Sequence, residues 1–584
     1  MATRVCIKDI EDLAAPAGGR RQPCTQQCTN CPTRESPKIW DIIIVGCGAI
    51  GCSIARELAK YQLSVLMLEK ASDIAQGASK ANSGIVHGGY DEEHGTLKSK
   101  VSHWGNQLFS GLDEELEFGF RRIGSLVLAF SQQERDGELV RLLQNGARNG
   151  VQGLRILDGY DEICKIEPHV HPSVVAALHC PHTGITSPYE YVIALAENAM
   201  ENGVEIKLLR EVVGIEALSL QEASPGNLQR QHHHGHQAGG EEPACSAPAP
   251  QQQLFRIRAE NHSTLDYEVF HSRVVINCAG LYADKIAQMV GPCDFQIVPR
   301  LGEYILLDKS QGHLAQHVLF PVPSLERGKG ILVSPTFWGN LLLGPTSRTL
   351  KESFEETNTH VLHFIIKSAQ QSLPAFDVSH AITSYTGLRA KCSRKDFVIE
   401  ENPAVKNFIN VAGIDSPGLT SSPAIALVVC QLLQSKTQLA FRAKDSFQPR
   451  RRRLIQPKQP NGPYRVDHPD PRFNIICRCE GITEAEILDT MSRPSPVQAH
   501  STDTIKRRTR AGMGACQGRF CEPRVSALIS RETGQPLEKV ERRALGSSIL
   551  PHQRLTEDDK DLLDKMQKLE YDQDDRQGKL LSKL

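Results

Sequence analysis

Six residues, Gly46-Cys47-Gly48-Ala49-Ile50-Gly51, constrain this chain more than any others. A G-x-G-x-x-G run alone is a weak signal, and its context decides. Ile39–Val45, just before it, is a short apolar run whose Ile and Val content predicts a buried strand. After it, Ile50, Ile54 and Leu58 recur every four residues, which predicts a helix from about Ala49 to Lys60. Val65–Leu68 reads as a second buried strand, closed by the acidic Glu69. Strand, glycine turn, helix, strand and terminal carboxylate make up the whole dinucleotide-binding unit. Gly46 permits the tight turn, Gly48 lets the backbone approach a pyrophosphate, and Gly51 brings helix and strand together. The helix N-terminus offers free N–H groups to phosphate. Glu69 can accept from ribose hydroxyls and would repel a 2′-phosphate. A purely structural glycine turn is the bland alternative.

The rest of the chain is read around that unit. Its 584 residues correspond to about four modules. With 40% hydrophobic and 23% charged residues it has the makings of a globular core. Lys and Arg total 67 against 68 Asp and Glu, which removes any whole-chain case for nucleic-acid binding. No run approaches the ~18 apolar residues that span a bilayer, so an integral membrane protein is not expected. The first residues lack the apolar core of a secretory signal, and Asp9, Glu11 and Asp12 argue against a transit peptide. The expected location is cytoplasmic, with a peripheral membrane association and an organelle left open. Seventeen cysteines in that setting read as thiols and metal ligands rather than disulfides.

Val274–Asn277 and Phe408–Val411 are two further apolar strands, and the mixed patterns between them leave room for an inserted second domain. Residues 1–37 are expected to be a disordered extension, and 38–446 the dinucleotide-binding domain. Within it, 221–253 is low in complexity and expected to be disordered. Its His232–His234 and His236 read as a solvated tract, with a metal trap as the alternative. Residues 447–473 hold Arg450–Arg453 and six prolines, the composition of a semi-rigid linker. The four arginines read as a solvated run, the alternative being a targeting or anionic-lipid patch. A compact module occupies 474–546, and a tail 547–584 carries Leu555, Leu562, Leu563, Met566 and Leu569 at near-helical spacing. Cys24, Cys28 and Cys31 match C-x3-C-x2-C, but no strand precedes them, so an accidental cluster or a weak metal site is the reading.

The compact module holds Cys477-x-Cys479 and Cys516-x4-Cys521. Two close pairs in a small module make a tetrathiolate site, and zinc ribbons normally use C-x2-C instead. Iron–sulfur, zinc and an empty site all remain open on spacing alone. Cys47, Cys52 and Cys278 sit in apolar or glycine-rich sequence as buried free thiols. No nucleophile elbow, Walker loop or HExxH is present.

FAD and NAD share the glycine unit, and the following stretch separates them. Gly77–Gly89 is small, polar and flexible, and resembles the segment along the flavin in glycine-oxidase-like and glycerol-3-phosphate dehydrogenase-like flavoproteins. Asn277-Cys278-Ala279-Gly280 looks like that family's second flavin-binding turn, and Gly413–Thr420 like the start of a helix aimed at the ring. Over roughly 39–545 the chain resembles the large subunit of the FAD-dependent anaerobic glycerol-3-phosphate dehydrogenases, and slightly less the L-2-hydroxyglutarate oxidases. The carrying motifs are the glycine fingerprint, Asn82–His87, Arg300-Leu301-Gly302-Glu303-Tyr304, Gly344-Pro345-Thr346 and Gly387-Leu388-Arg389. The extension, the histidine-rich insert and the tail depart from the family. Ile476–Glu480 and Arg508–Cys521 resemble the bacterioferritin-associated-ferredoxin-like domain, whose cysteines bind a [2Fe–2S] cluster.

The resemblance implies an α/β fold. A Rossmann-like FAD-binding domain (about 38–115, 185–299 and 395–440) would carry an inserted α+β substrate domain (about 116–184 and 300–394). A small helical iron–sulfur module would follow. It implies FAD on Gly46, Gly48, Gly51, Glu69, Ser79, Asn82, Ser83, Gly280, Gly413, Gly418, Leu419 and Thr420. The cluster would sit on Cys477, Cys479, Cys516 and Cys521, with Arg507, Arg508 and Arg510 offsetting part of its charge. A small anionic hydroxy substrate would meet Arg389 and Arg348 as anion clamps, Tyr304 as a hydrogen-bonding group and His87 as base. The implied reaction is oxidation of glycerol 3-phosphate to dihydroxyacetone phosphate, with L-2-hydroxyglutarate or a related 2-hydroxy acid as the alternative. Electrons would pass to an acceptor protein or quinone, through a membrane-associated partner in one version. The reading from another class is a zinc-bearing docking adaptor with a vestigial flavin fold.

Overall fold

The computed structural model describes residues 38–218, 253–322, 330–349, 358–451, 464–494 and 498–548. The N-terminal extension with its three cysteines, the histidine tract and the C-terminal tail lie outside them. The chain divides into two compact units near Gln456.

The first unit is built on an eight-stranded sheet. β1 (Ile39–Val45) lies between β2 (Val65–Leu68) and β3 (Asp266–Asn277), parallel to both. Ile42 and Ile44 enter one core and Ile43 and Val45 another, so both faces of β1 are covered. That double burial is why the strand reads as an unbroken apolar run. α1 (Ala49–Leu58) follows β1, and α2 (Leu97–Leu116) and α3 (Pro188–Glu201) pack beside it through Val101, Phe109, Tyr191 and Leu195.

The second sheet has nine strands. It takes Ser125–Ala129, Arg155–Asp158 and Ala176–Cys180 from the first excursion of the chain. The second excursion adds β4 (Ile297–Leu307) and β5 (Ala381–Cys392), which pair antiparallel over almost their whole length. The helix Asn358–Gln370 covers this sheet through Val361, Ile365 and Ala369. The chain then returns to the first sheet with β6 (Phe408–Ala412), parallel to the end of β3, and enters α4 (Gly418–Lys436). This is the expected inserted architecture.

Three local features differ from expectation. β3 begins eight residues before its apolar half, because its outer part pairs antiparallel with Leu254–Asn261 and leaves Tyr267 and Val269 exposed. α4 is long and apolar enough, by length and composition, to cross a membrane. Here it is a core helix: Ile425, Val429 and Leu433 are buried, and a Cβ on Gly105 of α2 would stand 2.1 Å from the Thr420 carbonyl oxygen. The third is Arg451, expected in a solvated run. Its guanidinium is buried against Glu197 and donates to the Leu116 carbonyl at 2.6 Å, while the Gln448 carbonyl accepts from Asn198 and Asn202.

In the second unit Ile475–Cys477 and Ile482–Thr483 form a short hairpin. It packs with α5 (Glu484–Met491), α6 (Thr502–Thr509) and α7 (Glu522–Thr533) around Ile476, Ile487, Ile505 and Ile529. Capping boxes at Thr483/Glu486 and Ser501/Thr504 start α5 and α6.

Candidate active site and iron–sulfur module

The turns after β1, β2, β3 and β6 all leave the carboxyl ends of parallel strands, where open α/β sheets place ligands. The first turn is the glycine fingerprint. Gly46 has φ +104°, and a Cβ there would sit 2.6 Å from the Cys278 carbonyl oxygen. A Cβ on Gly51 would stand 2.1 Å from the Gly46 oxygen, so helix and strand could not close. Gly48 is the N-cap of α1 and, as glycine, has no side chain with which to cap it. Ser79 Oγ accepts from the Ala49 N–H at 2.9 Å. The N–H groups of Ile50 and Gly51 find no acceptor among the described residues, and the first turn of α1 has no acidic residue. An anionic group is what that helix end accommodates.

Glu69 faces this turn. Its carboxylate accepts from the Cys47 N–H at 2.8 Å and the Ala71 N–H at 3.0 Å. Burial raises its pKa above the ordinary value, and the two backbone donors oppose that rise. The carboxylate is thus fixed in place at the end of β2 with acceptor capacity left for hydroxyls. Burial also holds the thiols of Cys47, Cys52 and Cys278 well above their ordinary range. They are packing groups, as the sequence suggests.

Other residues expected at the flavin turn out to hold the frame. Asn82 donates to the carbonyls of Ala78 and Ser79 and accepts from the Gly84 N–H, so its side chain ties its own loop together. Ser83 is half-buried in the same loop. The Thr420 hydroxyl accepts from the His87 N–H at 2.9 Å and lies 3.5 Å from the Ile85 carbonyl, joining α4 to the His87 segment. Leu419 packs on the core of the first sheet. Gly280 opens the turn after β3, and Gly413 and Gly418 bound the loop before α4. That loop is held by an ion pair between Lys98 and Asp415 at 2.5 Å.

The residues expected to meet the substrate, Tyr304 and Arg389, lie on one face of the β4–β5 pair. The register sets Arg300 opposite Arg389, Gly302 opposite Gly387 and Tyr304 opposite Tyr385. Directly opposite residues share a face, so R-x-G-x-Y on β4 meets Y-x-G-x-R on β5, like on like. This face lies against the flavin-type loop: a Cβ on Gly387 would be 2.0 Å from the Ala81 oxygen, and the Tyr385 hydroxyl donates to the Asn82 carbonyl at 3.1 Å. Tyr304 and Tyr385 stack with centroids 4.7 Å apart. The Arg389 guanidinium crosses Gly302, donates to the Thr346 carbonyl at 3.0 Å and reaches the Tyr304 hydroxyl. Burial raises the Tyr304 phenol, and the neighbouring Arg389 charge opposes it.

Arg348 is not brought to this face. It pairs in register with Leu301, one residue out of phase, and its guanidinium meets Glu303 at 3.4 Å on the reverse side. Sequence reasoning quoted Arg300 and passed over Tyr385. The inverted triplet spacing of the two motifs was the available signal, since it makes sense only once the strands are antiparallel and in register.

In the second unit the four cysteines stand as two hydrogen-bonded pairs, Cys477 with Cys521 and Cys479 with Cys516. The first pair is buried, whereas Cys479 is exposed and Cys516 half-buried. The Cys521 thiol and the N–H groups of Gly512 and Glu480 favour the thiolate of Cys477 and hold it below the ordinary thiol range. Among the described residues no three His, Cys, Asp or Glu form a group that could hold one metal ion. A [2Fe–2S] cluster takes four thiolates, two on each iron, and the two pairs supply that donor set. Arg510 is ion-paired with Glu480 and Arg507 with Asp503, so each already has a local counter-charge. Arg508 is fully buried and donates to the Thr504 carbonyl.

A dinucleotide site at the strand ends, joined to a cationic and aromatic face on an inserted sheet, defines a flavin-dependent oxidoreductase. Residues 41–432 match the family described as FAD dependent oxidoreductase, and 475–531 the BFD-like [2Fe-2S] binding domain. A glycerol 3-phosphate dehydrogenase of Caloramator mitchellensis is 42% identical over 88% of this chain and 98% of its own length. A glycerol 3-phosphate oxidase of Mycoplasma pneumoniae is 30% identical over 68% of the chain and 95% of its own. The mitochondrial L-2-hydroxyglutarate dehydrogenase of Homo sapiens is 27% identical over 72% and 94%. The dithionite-reduced, FAD-bound L-α-glycerophosphate oxidase of M. pneumoniae superposes with TM-score 0.60 at 28% identity, over 71% of the chain and 98% of its own. The chain belongs to the FAD-dependent oxidoreductases, in their glycerol 3-phosphate dehydrogenase and oxidase branch, and carries a C-terminal [2Fe–2S] domain. FAD and a [2Fe–2S] cluster are its cofactors, and the unpartnered helix end, the fixed Glu69 carboxylate and the paired thiols fit them.

Proposed function

We propose that this enzyme oxidises glycerol 3-phosphate at its secondary carbon to dihydroxyacetone phosphate. FAD, when bound, supplies the hydride acceptor, and the [2Fe–2S] cluster a one-electron exit toward an acceptor protein or quinone. The observation that carries the reading is the Arg389 guanidinium fixed over Gly302 beside Tyr304, with the sheet pressed on the loop of Ala81 and Asn82. The names of the two glycerol 3-phosphate relatives support it. Arg389 binds the phosphate by charge-assisted hydrogen bonds. The Tyr304 hydroxyl, buried and polarised by Arg389, orients the substrate's reacting end. His87 accepts the hydroxyl proton on its imidazole as the carbon–hydrogen bond breaks, a role imidazole suits near neutral pH. Its segment is held in place through its N–H on Thr420 and its carbonyl on Asn106.

Steady-state turnover with an artificial acceptor tests this directly. Glycerol 3-phosphate should be oxidised far faster than L-2-hydroxyglutarate, and the reverse order overturns the assignment. The electron route is tested by changing Cys516 and Cys521 to Ser. Substrate-driven flavin bleaching in stopped flow should survive while turnover with the physiological acceptor collapses. Normal turnover in the double variant would make the module structural.

A further inference from the structure

The inverted motifs set two arginines directly opposite each other in the strand register, and only one has been given a task. Arg300 and Arg389 are directly opposite in the β4–β5 register and share a face. They hold consecutive carbonyls of one loop: Arg389 donates to Thr346 and Arg300 to Ser347, each at 3.0 Å. Among the described residues no carboxylate pairs with either, since the nearby Glu303 is committed to Arg348 and Thr346. The Arg300 Nε is buried without a hydrogen-bond partner. Like charges directly opposite on neighbouring strands repel, and a buried N–H left unmade is costly. Both costs disappear if an anion lies between the two groups.

The geometry points to Arg300 as a second anion-binding residue, which with Arg389 forms a two-arginine subsite for the substrate's phosphate dianion. This rests on the reading of Arg389 as the anion clamp. The divalent charge of the ligand matches two guanidiniums that have no carboxylate, and the fork of Arg300 gives it a second bidentate face. Arg348, on the reverse side with its own carboxylate, takes no part. The subsite also supplies a reason for phosphate over carboxylate. A monoanionic head group satisfies one guanidinium and leaves the other charge uncompensated, so binding discriminates by charge rather than by size.

The test uses the full-length, flavin-loaded enzyme with Arg300→Gln and the charge-keeping Arg300→Lys. The expected result is a KM for glycerol 3-phosphate raised about tenfold or more by Arg300→Gln, with kcat within about twofold. Arg300→Lys should fall between the two. A readout independent of turnover is the protection that inorganic phosphate gives against thermal unfolding, which Arg300→Gln should largely abolish. Unchanged KM together with unchanged phosphate protection overturns the inference, as does failure of both variants to fold, which would make Arg300 a strut. If the wild-type enzyme ignores glycerol 3-phosphate yet loses phosphate protection on Arg300→Gln, the proposed substrate falls and the anion subsite stands.

Discussion

At the scale of single residues, Glu69 and Arg389 bear the most weight. Glu69 is fixed by two backbone N–H groups, and its remaining lone pairs face the turn that the fingerprint forms. Glu69→Arg puts a cation where hydroxyls need an acceptor, so the purified variant should hold far less flavin than wild type. Full flavin content, measured by absorbance after denaturation, would remove Glu69 from the ribose site. Arg389→Ala should leave the flavin spectrum intact and raise KM, because a lost charged hydrogen bond costs on the order of 1.5–3 kcal/mol. An unchanged KM would take Arg389 out of the anion site. These residues were legible because a motif and its spacing mark them. Asn82 was legible as part of the flavin loop and Thr420 as part of the helix start, but not as the ties that hold them, since a side chain's partner is set by tertiary packing. Arg300 and Tyr385 acquire meaning only from the register of two strands far apart in sequence.

At the scale of elements, β1, β2 and β6 were readable because each is buried on both faces, and burial writes itself as an apolar run. The outer half of β3 was not, because one of its faces is exposed and its pattern alternates. The strap of Phe447–Arg451 was hidden for the opposite reason. An arginine in a basic, proline-rich stretch has the composition of a solvated linker, whatever its own fate. Arg451 and Glu197 retain 2% and 4% side-chain exposure. Arg451→Ala therefore removes a charged partner from a buried carboxylate and should destabilise the first unit by about 1.5–3 kcal/mol. Calorimetry would show this as a lower melting temperature, which the double change Arg451→Met with Glu197→Leu should largely restore. A variant that melts with wild type would mean that the strap is not held by this pair.

For the whole molecule, the FAD-binding α/β fold and the C-terminal iron–sulfur domain followed from a few strands and the family resemblance, while the strand order did not. Order depends on which edges meet, and nothing local in the chain states that. One group in the second sheet ties overall stability to pH. His179 lies beside Arg155 in register and 5.6 Å from the His317 ring, and its Nδ1 is buried without a partner. Burial first, then the charges of His317 and Arg155, push its pKa down to about 4. The native protein thus keeps His179 neutral where the unfolded chain protonates it, near pH 6.5. Its contribution to stability is present above about pH 6.5 and declines as pH falls toward 4. Melting temperatures across that window should fall with acidity, and His179→Gln should flatten the slope. An unchanged slope would assign the acid sensitivity elsewhere.

The return of the chain to its first sheet has a consequence for synthesis. β3 offers the far end of its edge to β6, and β6 emerges from the ribosome only after the entire second sheet. Until then the nascent chain carries an open parallel edge, one of the features that recruit neighbouring chains into aggregates. α4 follows soon after, and it is apolar enough to be mistaken for a membrane anchor until it docks on α1 and α2. A chain released before Phe408 would keep that edge open and would lack the helix that seals the core.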